Sequence, residues 1–371
     1  MRKTTLVILL AALAALAGVT ALVLNRSQPR TQPVAMGEKL FPDLLVNNVA
    51  KIVVQAPGAR VEVVKTPHGW VVPSRDGYPA DFERVARFVR KFADLKIGRT
   101  FPAVQGELSR LGLEEPGPAE GLRPAATLLA LESAGGETLA SLLVGKDRMS
   151  KSKQPVRGMP DGQYVRLPGE ETVYVVDGYF DKDDRKDAEW LDKTITRVET
   201  EEVRSITCRT GTPDFSQEVF AIARPGRGEN FEPLVFPTDK KLKTPEVNQL
   251  AGLLAVLTLD NVARAEGEAA GFSDAVLAFT LFDGRVYRLY PDRNNPNGTC
   301  KLRVTVDYEK PGKSAEPGSL TLTEAGDGAA ALAEAENARI SPWVFELSSW
   351  RCQKIVTDPS ALAESPGEPG Q

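Results

Sequence analysis

The chain has 371 residues, of which 42% are hydrophobic and 26% are charged, and its formal net charge is −4. The length suits two domains of about 150 residues each, and the composition excludes a wholly disordered chain. Residues 1–39 hold five basic side chains and one acidic side chain; subtracting these from the totals of 46 and 50 leaves 41 basic and 49 acidic groups in the rest. This acidic balance argues against a nucleic-acid partner.

An apolar run near the N-terminus predicts a membrane anchor. Leu6–Leu24 is an uncharged run of 19 residues behind Arg2 and Lys3. As a helix it is roughly 28 Å long, close to the ~30 Å hydrocarbon core of a bilayer. The run ends without a small-x-small cleavage site, which favours an uncleaved signal anchor over a cleaved signal peptide. The two basic residues favour a cytoplasmic N-terminus at residues 1–5, so we expect a single-pass protein of the cytoplasmic (inner) membrane with its bulk periplasmic or otherwise extracytoplasmic.

After the anchor, the chain is organised as a linker followed by two related modules. Residues 25–39 are polar and contain proline, which is typical of a tether. A helix in the first module, residues 40–192, has apolar residues at i, i+3, i+7 and i+10, namely Phe82, Val85, Val89 and Phe92. The second module, residues 193–355, repeats this spacing at Val247, Leu250, Leu254 and Leu257. The pattern predicts two tandem copies of one unit.

Short β-rich runs separated by turn residues surround each helix. Pro57-Gly58 separates the runs Lys51–Ala56 and Val61–Thr66, and Asp283-Gly284 is a strong two-residue hairpin signal in the second module. The predicted fold class is therefore α+β. Each module is expected to be a strand meander, a helix and a β-hairpin, with antiparallel sheets.

Several boundaries within the modules can also be predicted. Asp81 is the expected N-cap of the first helix, and Thr244, followed by Pro245, is the expected N-cap of the second. Glu309–Asn337 is rich in Gly, Ala, Glu and Pro and is interpreted as an insertion, part loop and part helix from Ala329 onward. Residues 356–371 are expected to be a disordered tail.

Several short motifs together resemble a bacterial family known as domain of unknown function 4340. Besides the apolar run, they are Lys51–Val54, Gly69–Val72, Tyr78–Asp81, Leu111–Leu113 with Pro116, and Tyr164–Arg166. The second module departs from the family pattern, because no Gly-Trp pair matches Gly69-Trp70 and Glu309–Asn337 is long. The resemblance implies an envelope protein that accompanies ABC-type transporter components of the gliding-motility kind, and it implies no catalytic residue.

The sequence contains little that predicts catalysis. Its one histidine, His68, excludes HExxH and multi-histidine metal sites and is the only residue on which a Ser-His-Asp triad would be built. However, Pro67–Gly69 predicts an exposed turn at that position. A GxSxG nucleophile elbow and a GxxxxGK[ST] phosphate loop are both missing. We therefore predict no catalytic residue, no cofactor and no metal.

An acidic run in the first module is a candidate cation site. It comprises Asp181, Asp183, Asp184 and Asp187, with Lys182, Arg185 and Lys186 interleaved. The sixth position of an EF-type calcium loop is Lys186 instead of glycine, so a solvated, internally paired charge run is favoured over calcium binding.

Two tryptophans and three cysteines are the remaining residues that could have a structural or functional role. Trp190 and Trp350 occupy equivalent positions and are interpreted as core residues of the two modules, with a carbohydrate or peptide surface as the alternative. Cys208, Cys300 and Cys352 have no CxxC spacing. An oxidising compartment would permit one disulfide among them, and all three pairings remain open.

Two classes of function follow. The first is a non-enzymatic, membrane-anchored interaction protein that serves an ABC-type transporter or a gliding-type envelope assembly. The second is an extracytoplasmic ligand-binding or hydrolytic domain acting on envelope polymers. A polar pocket containing His68 or the carboxylates of Asp181–Asp187 would favour the second class. A broad apolar or edge-strand surface without such a pocket would favour the first.

Overall fold

A computed structural model describes residues 36–103, 105–116, 125–149, 160–211, 214–237, 241–267, 272–292, 299–310 and 322–364. The predicted anchor and most of the linker lie outside these residues. Among the helices described, none is long and apolar enough to cross a membrane. The fold is α+β, with mostly antiparallel sheets and few helices, as the sequence predicts.

Nine strands form the first sheet. They are β1 (Val49–Ala56), β2 (Ala59–Thr66), β3 (Gly69–Val72), β4 (Tyr78–Pro79), β5 (Ile97–Pro102), β6 (Thr127–Ser133), β7 (Thr138–Met149), β8 (Pro160–Arg166) and β9 (Thr172–Val176). Their order across the sheet is β4-β3-β2-β1-β6-β7-β8-β9-β5. Apolar residues alternate with polar ones along β2, where Val61 and Val63 are buried, because successive side chains of a strand point to opposite faces.

Eight strands form the second sheet. They are β10 (Val203–Thr210), β11 (Gln217–Ala223), β12 (Glu232–Val235), β13 (Asn261–Arg264), β14 (Ala275–Leu281), β15 (Arg285–Asp292), β16 (Cys300–Tyr308) and β17 (Trp343–Leu347). Their order is β12-β11-β10-β14-β15-β16-β17-β13. With β4 set aside, the first sheet has the corresponding order, β3-β2-β1-β6-β7-β8-β9-β5. The two sheets therefore fit the idea of two modules.

The helices are α1 (Phe82–Asp94), α2 (Gln105–Leu111), α3 (Thr244–Ala251), α4 (Leu322–Ile340) and α5 (Ser349–Cys352). Asp81 caps α1 as predicted, since its Oδ1 accepts a hydrogen bond of 3.1 Å from the backbone N–H of Arg84. The predicted cap of α3 is wrong by one residue. Lys243 is the N-cap, and its carbonyl accepts the first helical hydrogen bonds, from Glu246 and Val247. The helix α4 begins at Leu322, earlier than the predicted Ala329.

The two predicted apolar stripes are largely buried. In α1, Val85, Val89 and Phe92 are buried, but Phe82 is 68% exposed, so its assignment to the core is wrong. Phe88 is buried instead, because it lies one helical turn from Phe92 on the same side, and their ring centroids are 5.6 Å apart. All four stripe residues of the second module are buried, although α3 ends at Ala251 and the stripe continues through a 3₁₀ turn, Gly252–Ala255.

The described chain divides into two compact units, each made of separate segments. The first unit comprises the described residues up to Val49, together with Gln55–Gly58 and Phe88–Asp181. Rings pack in its core, where Phe180 lies 5.1 Å from Phe92 between centroids. The second unit comprises Ala50–Val54, Ala59–Arg87 and the described residues from Lys182 onward. In its core, Tyr78 packs edge-on against Trp343 at a centroid distance of 5.0 Å.

The C-terminal part of the second unit is held by a disulfide and by a short final turn. Cys300 and Cys352 are bonded, with 5.8 Å between their Cα atoms, which decides among the three possible pairings. Cys208 is buried, and its Sγ lies 3.6 Å from the carbonyl oxygen of Thr357 as a hydrogen-bond donor. Within the predicted tail, Pro359–Leu362 form a 3₁₀ turn and Leu362 is fully buried.

Candidate functional site

His68 lies where the sequence places it, in an exposed turn between β2 and β3. Its backbone N–H donates to Thr66 Oγ1 at 3.3 Å, and Thr66 Oγ1 donates to the carbonyl of Gly69 at 2.8 Å. These bonds stabilise the turn itself. His68 does not line either of the two grooves described below.

The acidic run is paired with basic side chains, but only partly in the way predicted. Asp183 bonds to its neighbour Lys186, with 2.7 Å between Oδ1 and Nζ. The buried carboxylate of Asp184 instead accepts a hydrogen bond of 2.7 Å from Arg84 Nη2, a residue of α1. The prediction of a solvated run is therefore wrong for Asp184. Across the part of the chain that the structure describes, no group of three or more His, Cys, Asp or Glu side chains could hold a metal.

Asp187 is bound by residues that precede α1. Ser74 Oγ and Arg75 Nε each donate to Asp187 Oδ2 at 2.9 Å, and Arg75 Nη2 donates to Oδ1 at 2.9 Å. Burial would raise the pKa of this carboxyl. The hydrogen bonds and the charge of Arg75 outweigh burial and hold the pKa of Asp187 below its usual range. Asp184 and Asp187 of this run thus stabilise the second unit.

The two tryptophans differ in burial. Trp190 is fully buried, as predicted, and its Nε1–H donates to the carbonyl oxygen of Asp184 at 2.9 Å. Trp350 is 56% exposed, so its interpretation as a core residue is wrong. It lies in the one-turn helix α5, where the charged ends of Arg351 and Lys354 each lie 4.8 Å from its ring centroid. A side chain on so short an element is shielded by its neighbours instead of being enclosed by a core.

A groove lies on one face of the second sheet, and we call it the sheet groove. Its volume is about 350 Å³, within the range of small-molecule sites. Thr207, Ala278 and Arg288 are direct partners across β10, β14 and β15, which shows that the three strands present this face together. The lining residues are Thr207, Arg209, Asp214, Phe215, Val276, Ala278, Thr280, Val286, Arg288, Tyr290 and Glu309. The alternate residues of β14, such as Leu277 and Phe279, are buried on the opposite face.

Aromatic side chains close one end of the sheet groove. Phe215 and Tyr290 are buried together with Val276, and their ring centroids lie 5.8 Å apart. Phe215 has φ of 49°, in the left-handed region that residues other than glycine rarely adopt. Its backbone N–H donates to the carbonyl of Gly211 at 2.6 Å, which holds this conformation. Backbone strain of this kind costs about 1–3 kcal/mol and is found at binding sites, where it fixes a side chain.

The charges of the sheet groove are largely compensated by neighbouring side chains. Arg209 Nη2 lies 3.1 Å from Glu218 Oε2, and Arg288 bonds to Asp307 and, at 2.6 Å, to Glu309. A register shift in the pairing of β10 with β11 falls between Cys208 and Arg209. The groove therefore offers guanidinium N–H groups and carboxylate oxygens without a strong excess of positive charge.

Sequence reasoning missed the sheet groove. Its only local signal is the alternation of polar and apolar residues along β10, with Thr207 and Arg209 outward and Ile206 and Cys208 buried. Such alternation is expected for any sheet with one solvated face, so it does not mark a site.

A second groove, of about 300 Å³, follows the edge strand β13. Two of its lining side chains already have partners. Arg264 lies 4.8 Å above the ring of Trp343, and Arg75 is bound to Asp187. Since these cations are engaged within the unit, this groove is the weaker candidate.

A partly buried polar cluster beneath the opposite face of the second sheet holds α4 in place. Tyr287 and Arg285 of β15 both bond to Glu336 of α4, and Arg285 Nε donates to Asp283 at 2.8 Å. Burial raises the pKa of Tyr287, and its hydrogen bond to Glu336 raises it further. The acids and bases satisfy one another, so we assign this cluster a structural role.

Comparison with known proteins gives one match. The profile of the family described as Domain of unknown function (DUF4340) matches residues 70–274, more than half of the chain. No curated protein and no solved structure shows significant similarity. The matched residues run from β3, through α1, to the segment before β14, and so include parts of both sheets. The chain therefore belongs to the DUF4340 family.

Proposed function

We propose that this protein is a non-enzymatic, membrane-anchored partner of a membrane assembly, with its folded part outside the cytoplasm. One observation carries the proposal. Three apolar side chains at the start of the described chain, Met36, Leu45 and Val46, are 78%, 66% and 41% exposed. We call them the N-terminal apolar set. Exposed apolar residues gathered in one stretch of chain favour contact with another apolar surface.

The position of this set fits a partner in the membrane. Met36 follows the end of the predicted anchor, Leu24, by twelve residues. An extended chain spans at most ~3.3–3.6 Å per residue, so Met36 would lie within roughly 40 Å of the membrane surface. A tether of this length keeps the set at a high effective concentration beside a membrane partner.

The disulfide supports an extracytoplasmic location. Cys300 and Cys352 are bonded in the second unit. Disulfides persist in oxidising compartments such as the periplasm and are rare in the cytosol. This agrees with the orientation predicted from the basic residues before the anchor.

We propose an ABC-type transporter, or a related gliding-type envelope assembly, as the partner. This choice rests on what resemblance to the family implies about transporter neighbours. The duplicated modules would also provide edge strands for protein contact. All four residues of the edge strand β12 are exposed, including Leu234 and Val235. Such an edge can accept a partner strand, although Pro233 has no N–H to donate.

The alternative, hydrolysis of an envelope polymer, has less support. Most glycoside hydrolases use a pair of carboxyl groups as acid and as base or nucleophile. Two carboxylates line the sheet groove, and Glu309 is engaged by Arg288. Asp214 has no ion pair within the described ranges, and a single carboxylate does not supply both functions.

Gentle solubilisation followed by affinity purification tests the proposal. We expect an integral membrane transporter component to co-purify with the wild-type protein. The double variant Leu45→Ser/Val46→Ser should lose most of this partner, whereas Leu332→Ser, at an exposed leucine of α4, should retain it. Recovery of the protein alone, or equal recovery of the partner with both variants, would contradict the proposal.

The topology is tested separately with reporter fusions after Gly37. A reporter active only outside the cytoplasm should be active at this position, because the predicted anchor precedes it. Activity of a cytoplasm-only reporter at the same position would overturn the proposed location without bearing on the partner.

A further inference from the structure

The sheet groove contains hydroxyl groups that no other side chain satisfies. Thr207, Thr280 and Tyr290 line it, and within the described parts of the chain their hydroxyls form no hydrogen bond. Tyr290 is only 8% exposed. None of the three hydroxyls belongs to the fully buried, unsatisfied polar atoms of the described residues, so each is open to the groove, and a ligand there that supplies donors and acceptors can bond to it. Each hydroxyl can both donate and accept.

The charges of the groove favour a neutral ligand over an anion. Each guanidinium is already paired, Arg209 with Glu218 and Arg288 with Glu309 and Asp307. Asp214 adds a further negative charge at the groove. A phosphate or sulfate would compete with these carboxylates for the same N–H groups. A neutral hydroxyl group, in contrast, can bond to an arginine and to a carboxylate that remain paired with each other.

The floor of the groove is apolar. Val276 and Val286 are almost fully buried, Ala278 leaves space between them, and the rings of Phe215 and Tyr290 form one end. An apolar floor beside a ring, surrounded by alternating donors and acceptors, is complementary to a pyranose. One face of such a sugar presents C–H groups, and its rim presents hydroxyls.

We propose that the sheet groove binds a neutral saccharide, as a segment of an envelope glycan. This inference does not depend on the proposed membrane partner, because it uses the second sheet and not the N-terminal apolar set. Binding would hold the anchored protein against a polymer of the envelope without cleaving it.

The test uses the full-length protein in a detergent that has no sugar headgroup. N,N′-diacetylchitobiose and maltotriose serve as probes, and binding is measured by saturation-transfer NMR and calorimetry. We expect at least one probe to bind, with saturation concentrated on its ring C–H protons. Tyr290→Phe and Thr280→Val should each weaken binding about fivefold, as the loss of one hydrogen bond implies. Ala278→Phe should abolish binding because it fills the floor.

Tyr308→Phe is the matched control. Tyr308 pairs with Arg285, whose side chain bonds to α4, so it lies on the opposite face of the sheet. Removal of the Tyr308 hydroxyl should leave saccharide binding unchanged. Thermal melts establish that each variant is folded, and Thr280→Val, at a half-buried threonine, keeps the test valid if Tyr290→Phe unfolds. Inorganic phosphate and trilysine are measured in the same way as charged probes. The proposal is overturned if neither saccharide binds, if Ala278→Phe binds a saccharide as well as wild type does, or if only a charged probe binds.

Discussion

Among individual residues, Arg84 shows how a partly buried cation is held by partners that are distant in sequence. Its guanidinium bonds to the buried carboxylate of Asp184 and lies 5.3 Å from the ring centroid of Trp190. The indole in turn donates to the backbone of Asp184. The three side chains therefore form one connected cluster, in which Arg84 Nε is buried without a hydrogen-bond partner among the described residues.

We expect Asp184→Ala to lower the free energy of unfolding by about 3 kcal/mol or more, because it leaves the partly buried guanidinium of Arg84 without this carboxylate. Chemical denaturation measures the change. Asp183→Ala, in the exposed pair with Lys186, is the matched control and should have little effect. Equal denaturation midpoints for the two variants would show that the Arg84–Asp184 pair stabilises the fold no more than the exposed pair does.

Asp187 should make stability depend on pH in the acidic range. Its folded-state pKa is held below the ordinary value of about 3.9, so it stabilises the fold above about pH 4, and this contribution is lost as the pH falls through the lowered pKa. Asp187→Asn should cost roughly 2 kcal/mol at pH 7, with the difference from wild type shrinking below about pH 4. Ser74→Ala removes one hydrogen-bond donor to Asp187. It should therefore lower the free energy of unfolding by less than Asp187→Asn, with the same dependence on pH. A difference that is independent of pH would contradict this account.

Among the secondary-structure elements, two edge strands have no clear signal in the sequence. β5 and β13 follow the helices of their modules and form one edge of each sheet. β5 contains Gly98 and ends at Pro102, and β13 has only four residues. Neither strand has the regular alternation of apolar and polar residues that is typical of a half-buried strand, because an edge strand packs against a single neighbour. The arginines that recur after each helix, Arg99 and Arg264, lie in these strands.

The burial of the apolar stripe of the second module can be tested with two substitutions. Leu254 is fully buried, whereas Val256, two residues later, is 59% exposed. Leu254→Asp should cost about 4 kcal/mol or more, because it buries an unpaired charge. Val256→Asp should leave the melting temperature nearly unchanged. A melt of Leu254→Asp close to wild type would refute the packing of this stripe.

For the whole molecule, the disulfide joins segments that are distant in sequence. Cys300 and Cys352 are separated by 52 residues, and closing a loop of that length is expected to stabilise the fold by about 4 kcal/mol in the chain-entropy model. The Cys300→Ala/Cys352→Ala variant should therefore unfold at a lower denaturant concentration than the oxidised wild type. Adding a reductant should lower the wild-type midpoint toward that of the variant and leave the variant unchanged. A wild-type midpoint insensitive to full reduction would count against this contribution.

The sequence by itself determined the elements whose information is local. Alternation along β2 and the stripe through Val85, Val89 and Phe92 predicted buried faces, because one side of an element must be apolar to pack. The N-cap at Asp81 was predictable for the same reason, since a cap is satisfied within a few residues. The similarity of the two modules also followed from spacing that recurs along the chain.

The tertiary structure alone decided which distant residues meet. Arg84 and Asp184 are 100 positions apart, and neither is marked by its neighbours in sequence as the partner of the other. The choice of Cys300 with Cys352, the exposure of Trp350 and the convergence of Thr207, Thr280 and Tyr290 in the sheet groove depend in the same way on strand order. Periodicity specifies which face of a strand is buried, but the neighbours of that strand are chosen by packing across the whole sheet.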